Sequence, residues 1–316
     1  CWSSCRQKTT NTGVLMLSRL VNQAQPLEPT ARVLVLGKGY SGRCFSQLLN
    51  ALGTPVISTR RKPENNSTDI AFDSATDLQP SPSDLQGVSH VLCTIPPSQN
   101  GRDPALECLG PLLTKISPVW VGYLSTTGVY GDRQGQWVSE SDPASPGQER
   151  SRRRLGCEQA WLNSGLPVQI LRLPGIYGPG RSVLDGLKSG RARRINKQDQ
   201  VFCRIHVEDI AGACLHLIHK ASRGHAPPIV NVVDDEPTPP GELLEFGADL
   251  LNCNPPPEEN YTDACQNMSA MARSFWSENR RVSNRLLCKE LGYKLLHPNY
   301  RDGLRDCLTQ SNQSNI

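Results

Sequence analysis

Gly37, Gly39 and Gly42 stand in the spacing G-x-G-x-x-G within the stretch VLVLGKGYSGR over residues 33–43. A short apolar run, Val33 to Leu36, precedes them, and Phe45, Leu48 and Leu49 follow at helical intervals. Strand, glycine turn and helix in that order make a seat for the pyrophosphate of a dinucleotide. Gly37 turns the chain tightly out of the strand. Gly39 lets backbone N–H groups approach phosphate oxygens with no Cβ in the way, and Gly42 lets the helix lie close to the sheet. Unpaired N–H groups and the helix dipole then favour negative charge, and Tyr40 and Ser41 of the first turn belong to the expected cofactor contacts. The alternative is a glycine-rich turn with no ligand.

A second set of residues bears on which dinucleotide is held. At the end of the second strand of such a fold, an Asp or Glu takes the 2′-OH of NAD, whereas arginine accommodates a 2′-phosphate. Pro55 to Ser58 reads as that strand, followed by Thr59, Arg60 and Arg61 with no acid before Glu64. A guanidinium grips a phosphate with two parallel hydrogen bonds, and a carboxylate would repel it. NADP(H) is therefore expected over NAD(H), with Arg60 and Arg61 on the 2′-phosphate and Asp73 near the adenine. The alternative is that Arg60, Arg61 and Lys62 form a solvated turn. Pro96 and Pro174, each just past a strand-like run, are expected to border the same cofactor. A third group is basic: Arg181, Lys188, Arg191, Arg193, Arg194, Lys197 and Arg204 crowd one loop-rich segment. A positive cleft concentrates an anionic substrate, and Arg181, Arg194 and Arg204 are the candidates to hold one; a solvated basic loop is the alternative.

The elements that position these residues alternate. Asp69 to Phe72 reads as a third strand, and Val88 to Ile95, a nearly continuous apolar run, as a strand covered on both faces. Pro104 to Lys115 reads as a helix, Val119 to Leu124 as a fifth strand, 132–148 as a polar loop, Glu149 to Asn163 as a helix and Pro167 to Leu173 as a sixth strand. This spacing predicts a Rossmann-type α/β fold, a doubly wound parallel sheet with a small C-terminal substrate lobe. Residues 1–30 read as a flexible tail and 31–173 as the nucleotide-binding core. Residues 174–316 read as a mixed segment that returns to the core at about 205–235 and forms the lobe. Within it, Val207 to Lys220 and Thr238 to about Leu251 read as helices, Ile229 to Val233 as a strand, 254–259 as a loop, and Leu286 to Leu291 as a helical piece closed by Gly292. No internal repeat is found.

Composition narrows the partners. The chain has 316 residues, 37% of them hydrophobic and 5% aromatic, and a formal net charge of +4. No run approaches the roughly 18 apolar residues of a membrane helix. The charge and the absence of aromatics among the basic runs argue against nucleic acid. Twelve cysteines show neither C-x-x-C pairs nor zinc-like spacing, so no metal is expected, and they read as reduced thiols of a cytoplasmic protein. Residues 1–30, with Arg6, Lys8 and Arg19, resemble an organellar transit peptide only faintly, and Met16 is an alternative start.

Several further motifs follow in order: LSTTGVYG at 124–131, Arg154 with Glu158, LRLPGIYGPGR at 171–181, IHVEDIA at 205–211, NVVDDEPTP at 231–239 and ELGY at 290–293. Together with the glycine loop they resemble the extended short-chain dehydrogenase/reductases, the NAD(P)-dependent epimerase/dehydratase family, over roughly residues 32–305. The resemblance implies a Ser or Thr after the fifth strand and a Tyr-x-x-x-Lys on the next helix. Thr126 falls at the hydroxyl position, where it would donate a hydrogen bond to the substrate oxygen. The helix departs from the pattern: with Glu158 at the family's glutamate, Arg154 occupies the lysine position and Arg150 the tyrosine position. Arginine does not exchange protons near neutrality. Arg154 is left to bind ribose or phosphate and Arg150 to polarise a carbonyl. Tyr130 is the candidate for the missing proton donor, ahead of Tyr177 and His206. Two functions remain: an NADP-linked oxidoreductase, epimerase or dehydratase acting on an anionic small molecule such as a nucleotide sugar, or an inactive NADP(H)-binding sensor or scaffold. Either would be a monomer or homodimer.

Overall fold

The computed structural model describes residues 17–64 and 67–313. Its centre is a seven-stranded, all-parallel sheet in the order β3–β2–β1–β4–β5–β7–β11. The strands are β1 (Val33–Leu36), β2 (Val56–Arg60), β3 (Ile70–Ala71), β4 (His90–Cys93), β5 (Trp120–Thr126), β7 (Val168–Leu173) and β11 (Ile229–Asn231). The order runs outward in both directions from β1, so the topology reverses between β1 and β4. In open α/β sheets ligands bind in the crevice at that reversal, outside the carboxyl ends of the strands.

All four residues of β1 are buried, because its alternating side chains enter two different cores. Val33 and Val35 face α2 (Tyr40–Ala51) and α6 (Val207–Ala221), among Phe45, Leu48, Ile210 and Leu217. Leu34 and Leu36 face α3 (Pro104–Ile116) and α4 (Glu149–Leu162), among Leu109, Leu113 and Trp161. Each such side chain fully withdrawn from water contributes about 1.5–3 kcal/mol. Pro104 opens α3 at a position that needs no N–H donor, and the Asp103 carboxylate accepts from Leu106 N at 2.9 Å.

Three two-stranded parallel ladders flank the sheet: β6 (Trp137–Val138) with β13 (Arg281–Val282), β8 (Gly175–Tyr177) with β10 (Arg204–His206), and β9 (Arg194–Asn196) with β12 (Glu258–Asn260). The stretches read from sequence as loops, 132–148 and 254–259, therefore contain β6 and the start of β12. Against β9 pack α7 (Pro240–Leu250) and α8 (Tyr261–Ala264), α5 (Val183–Lys188) packs on α7, and α9 (Ala270–Trp276) follows. The last helix is α10 (Tyr300–Gln313). Leu286–Glu290 forms a wide π-type turn, closed by Gly292 at φ +77°.

The expected tail divides. Its first 16 residues, with Arg6, Lys8 and Met16, lie outside the described residues. Residues 17–30 are packed: α1 (Ser18–Gln23) buries Leu20, and Leu17 and Leu27 join the core under α6. The described cysteines are free thiols, most of them buried. Among the described residues, no helix is long and apolar enough to cross a membrane.

Candidate functional site

The glycine loop leaves β1 with Gly37 at φ +90°, where a Cβ would lie 2.8 Å from Thr94 Oγ1. Thr59 Oγ1 accepts from Gly37 N at 3.0 Å, and Thr94 Oγ1 donates to Gly37 O at 2.5 Å, so β2 and β4 both pin the turn. At Gly42 a Cβ would meet Gly37 O at 2.4 Å; at Gly39 it would meet nothing within 4 Å. The loop is thus closed on its protein side and open on the other. Gly39 caps α2 without a side-chain partner, which leaves the first-turn N–H groups facing that open side. These features fit a pyrophosphate. Tyr40 reaches across and donates its hydroxyl to Pro179 O at 3.0 Å, while the Arg181 guanidinium lies 5.5 Å from the centre of its ring.

Arg60 ends β2, as the sequence places it, but an acid from the third strand meets it. Asp69 pairs with Arg60 Nε at 3.1 Å and with Lys38 Nζ at 2.6 Å, and Glu64 takes Arg60 Nη1 at 2.6 Å. Counting along the chain from β2 could not show Asp69, because parallel pairing of β3 brings it there. Arg61 is exposed. Asp73 turns its carboxylate onto Ala75 N at 3.1 Å.

A cleft of about 800 Å³ opens at the carboxyl ends of β4, β5 and β7. Pro96, Thr126, Arg150, Arg154, Pro174, Arg181 and Arg204 all line it. Thr126 Oγ1 accepts from Gly128 N at 3.1 Å and so caps the short 3-10 turn Thr127–Tyr130. The helix α4 is fixed by Glu158, 1% exposed, one turn below Arg154. Glu158 takes a fork from Arg172 of β7, at 3.2 and 2.7 Å, and a hydrogen bond from Ser125 of β5. That anchor turns Arg154 and Arg150 toward the cleft. Arg154 Nη1 donates to the Tyr123 hydroxyl at 3.1 Å and to Leu124 O at 3.0 Å. Arg150 lies 3.9 Å over the ring of Phe275. Burial, opposed by Glu278 and reinforced by Arg280, lowers the Arg150 pKa from its usual value. It remains a cation that cannot supply a proton.

The structure does not bring Tyr130 to the cleft. It is fully buried, its hydroxyl donates to Asn231 Oδ1 at 2.8 Å, and Arg172 lies 4.7 Å over its ring. Burial raises its pKa, which further disfavours release of its proton. Tyr177 and His206 are also buried; they meet edge to face, and His206 caps α6 by accepting from Glu208 N at 3.3 Å. Arg194 is absent from the cleft lining and pairs with Glu245 and Glu258. Arg193 pairs with Glu259, so much of the basic segment staples β9 to β12. Arg152 and Arg153 pair with Glu149, as their positions on the helix suggest.

Four residues of the opposite wall were not anticipated: Phe275, Trp276, Glu278 and Arg280. Their signal is the run FWSENRR at 275–281, aromatic and charged together, but nothing local says where it lands. Arg280 Nη1 donates to Glu278 Oε2 at 2.7 Å and to Gly131 O at 2.8 Å. Of the other cleft arginines, Arg153 pairs with Glu149, whereas Arg150, Arg154, Arg181 and Arg204 have no carboxylate at ion-pairing distance among the described residues. Arg204 is only 9% exposed, and its guanidinium donates to the neutral Phe202 O at 3.0 Å. Isolated buried charge is costly at Arg204, and Arg150 and Arg181 present exposed charge beside it, so these groups suit an incoming anion.

No protein-family model matches the chain. Protein YeeZ of Escherichia coli K12 is 30% identical over 183 residues, 56% of this chain and 58% of YeeZ. The match thus spans little more than half of that curated relative. The structure of a conserved protein of unknown function from Silicibacter pomeroyi is 39% identical, with a TM-score of 0.79 over 88% of this chain and 98% of that one. The human epimerase family protein SDR39U1, solved with NADPH, is 20% identical, with a TM-score of 0.67 over 88% of this chain and 99% of that one. MoeE5, in complex with UDP-glucuronic acid and NAD, is 21% identical, with a TM-score of 0.69 over 90% of this chain and 100% of that one. These last two share the Rossmann-type fold.

Proposed function

Because the chain belongs to one family with the Silicibacter pomeroyi protein, on the fold of the NAD-dependent epimerases and dehydratases, we propose that it is an NADP(H)-linked oxidoreductase, epimerase or dehydratase acting on an anionic small molecule. The observation that carries this reading is the cleft beside the glycine loop, with four arginines that lack carboxylate partners. The nicotinamide of the bound cofactor would give or take a hydride. Gly39 and the first turn of α2 hold the pyrophosphate, and the exposed Arg61, with Arg60 once it exchanges the exposed Glu64 for phosphate, favours a 2′-phosphate. Thr126 donates a hydrogen bond to the substrate oxygen. Arg150 stabilises negative charge that develops there, and Arg154 holds ribose or phosphate. Arg181 and Arg204 hold the substrate's anionic group. A diphosphate such as the one in the UDP-glucuronic acid bound to MoeE5 fits that pair. Tyr130 is buried with its hydroxyl on Asn231, so the proton reaches the substrate oxygen from solvent through the cleft.

The second reading, NADP(H) binding without turnover, is favoured by one observation: arginine stands where the family's proton-exchanging tyrosine would be. Titrating the protein with NADPH and NADH, then assaying hydride exchange against anionic carbonyl compounds and nucleotide sugars, separates the two. Tighter binding of NADPH with exchange on at least one anionic substrate is expected. Binding of neither cofactor would sink both readings, and binding with no exchange on any substrate leaves the second. Arg60→Asp should weaken NADPH more than NADH; equal losses would remove Arg60 from the 2′-phosphate.

A further inference from the structure

Away from the cleft, where α6 begins and α10 crosses it, a buried group of side chains is left without a role. His297, 1% exposed, stands between three carboxylates. Its Nδ1 faces Asp209 Oδ2 at 3.0 Å. A carboxylate only accepts, so Nδ1 carries a hydrogen; burial is outweighed by the surrounding acids, which raise the ring's pKa to about 9, so an ion at Nε2 would displace a proton from it. Asp209 is held in turn by Leu296 N at 2.7 Å, His297 N at 3.0 Å and the Tyr293 hydroxyl at 3.1 Å. On the other side of the ring, Nε2 is buried and has no hydrogen-bond partner. It points at Asp306 Oδ2, 3.6 Å away, and at Glu208 Oε2, 4.0 Å away. Those three ligand atoms lie within 4.8 Å of one another. The Gln310 amide donates to both acids, at 2.6 Å to Asp306 and 3.4 Å to Glu208, and sets their orientation.

We infer that Glu208, His297 and Asp306 form a binding site for a divalent transition-metal ion, with Asp209 as the carboxylate that orients the histidine. Three observations support this. The separations of 3.6 and 4.0 Å exceed the spacing of about 3.3 Å between tetrahedral ligands at zinc-like bond lengths by less than an ångström, a gap that small side-chain rotations close. A histidine that donates one ring N–H to a carboxylate and aims the other nitrogen at an ion is the usual second-sphere arrangement of a metal-bound imidazole. Finally, three acids face one imidazole in a nearly dry site, and a dication would offset their charge. Two carboxylates and one imidazole suit Zn²⁺, Mn²⁺ or Co²⁺. The Asp306 side chain is 21% exposed and gives the ion a path in and a place for water. The ion would tie α6, which packs on the glycine-loop helix, to α10 at the end of the chain. Sequence spacing could not reveal the site, because Glu208 lies far along the chain from His297 and Asp306.

The test uses the full chain, stripped with a chelator and titrated with CoCl₂ and ZnCl₂. Cobalt should bind at one ion per chain and give ligand-field bands without the charge-transfer band of a thiolate, which separates this site from the cysteines. Zinc at a hundredfold excess over its Kd should raise Tm by about 4 °C. Asp306→Asn, at the partly exposed ligand, should keep the native circular dichroism and weaken cobalt binding at least about tenfold. Glu208→Gln should do the same, which guards against misfolding of one variant. Absence of cobalt binding to the wild-type chain, a thiolate band that survives Asp306→Asn, or equal affinity in wild type and both variants would each overturn the site and leave His297 holding a proton instead.

Discussion

A methyl group on Gly42 would lie 2.4 Å from the carbonyl oxygen of Gly37, whereas one on Gly39 would lie in open space. The two positions therefore separate folding from binding. Gly42→Ala should cost about 1–3 kcal/mol, since the helix must back away from the turn, and should also abolish NADPH binding. Gly39→Ala, with room for its methyl, should cost no more than about 1 kcal/mol as a poorer N-cap and still lose NADPH affinity. Unchanged affinity there would show that the pyrophosphate does not sit at Gly39. A similar contrast holds at Arg172. Replacing it with Met leaves Glu158 buried without its cation and should cost about 3–5 kcal/mol. Adding Glu158→Met should recover most of that in the same urea experiment. Failure to recover would mean that the fork, and not removal of a stranded charge, sets the loss. The glycine loop could be read from spacing alone, because its chemistry is local. The Arg172–Glu158 fork could not, although an arginine within the apolar run VQILRL was a visible sign of it.

Helix α4 carries four arginines, and their surroundings sort them. Arg152 and Arg153 share Glu149, Arg153 at the cleft's edge, while Arg150 and Arg154 turn into the cleft with no carboxylate partner. Arg152→Ala should change stability by less than about 0.5 kcal/mol and leave ligand binding alone, as exposed pairs contribute little. Arg150→Ala should weaken an anionic inhibitor at least about tenfold, the cost of one charged hydrogen bond. Isothermal titration of both variants checks this, and equal effects would dissolve the distinction between the two faces. The helix itself was legible to within a residue, Glu149–Asn163 against the observed Glu149–Leu162. The same is true of β7 and α3, where periodicity and a proline start mark the bounds. The ladders β6–β13, β8–β10 and β9–β12 were not legible. Each strand is two or three residues long, too short for alternation to show, and each pairs with a distant segment. For the same reason the cleft wall at 275–280 escaped notice.

The doubly wound parallel sheet followed from the alternation of strands and helices, because right-handed crossovers leave few ways to arrange them, although its strand order was not read in advance. Its charge balance against pH did not. His90, at the start of β4, is held by burial to a pKa of about 4, with His219 adding to the effect and Ser89 Oγ 2.8 Å from its Nδ1. Its folded value lies below the unfolded 6.5, so the unfolded chain takes up the proton first as pH falls. The stability that His90 contributes is complete above pH 6.5 and is lost as pH falls toward 4. The urea midpoint should therefore decline across that window, and His90→Gln should flatten the decline. A parallel decline in the variant would assign it to carboxylates instead.

The neighbour of β7 on its outer side is β11, in register from Ile229 opposite Ile170. During synthesis, β7 leaves the ribosome well before Ile229 to Asn231 exist. Until then the nascent sheet ends in a bare row of N–H and C=O groups beside an apolar strand, a template for unwanted pairing. Chaperone dependence of this chain should thus be concentrated in the interval between translation of Leu173 and of Asn231. A translational pause placed within that interval should prove more harmful to the yield of folded protein than one placed after it.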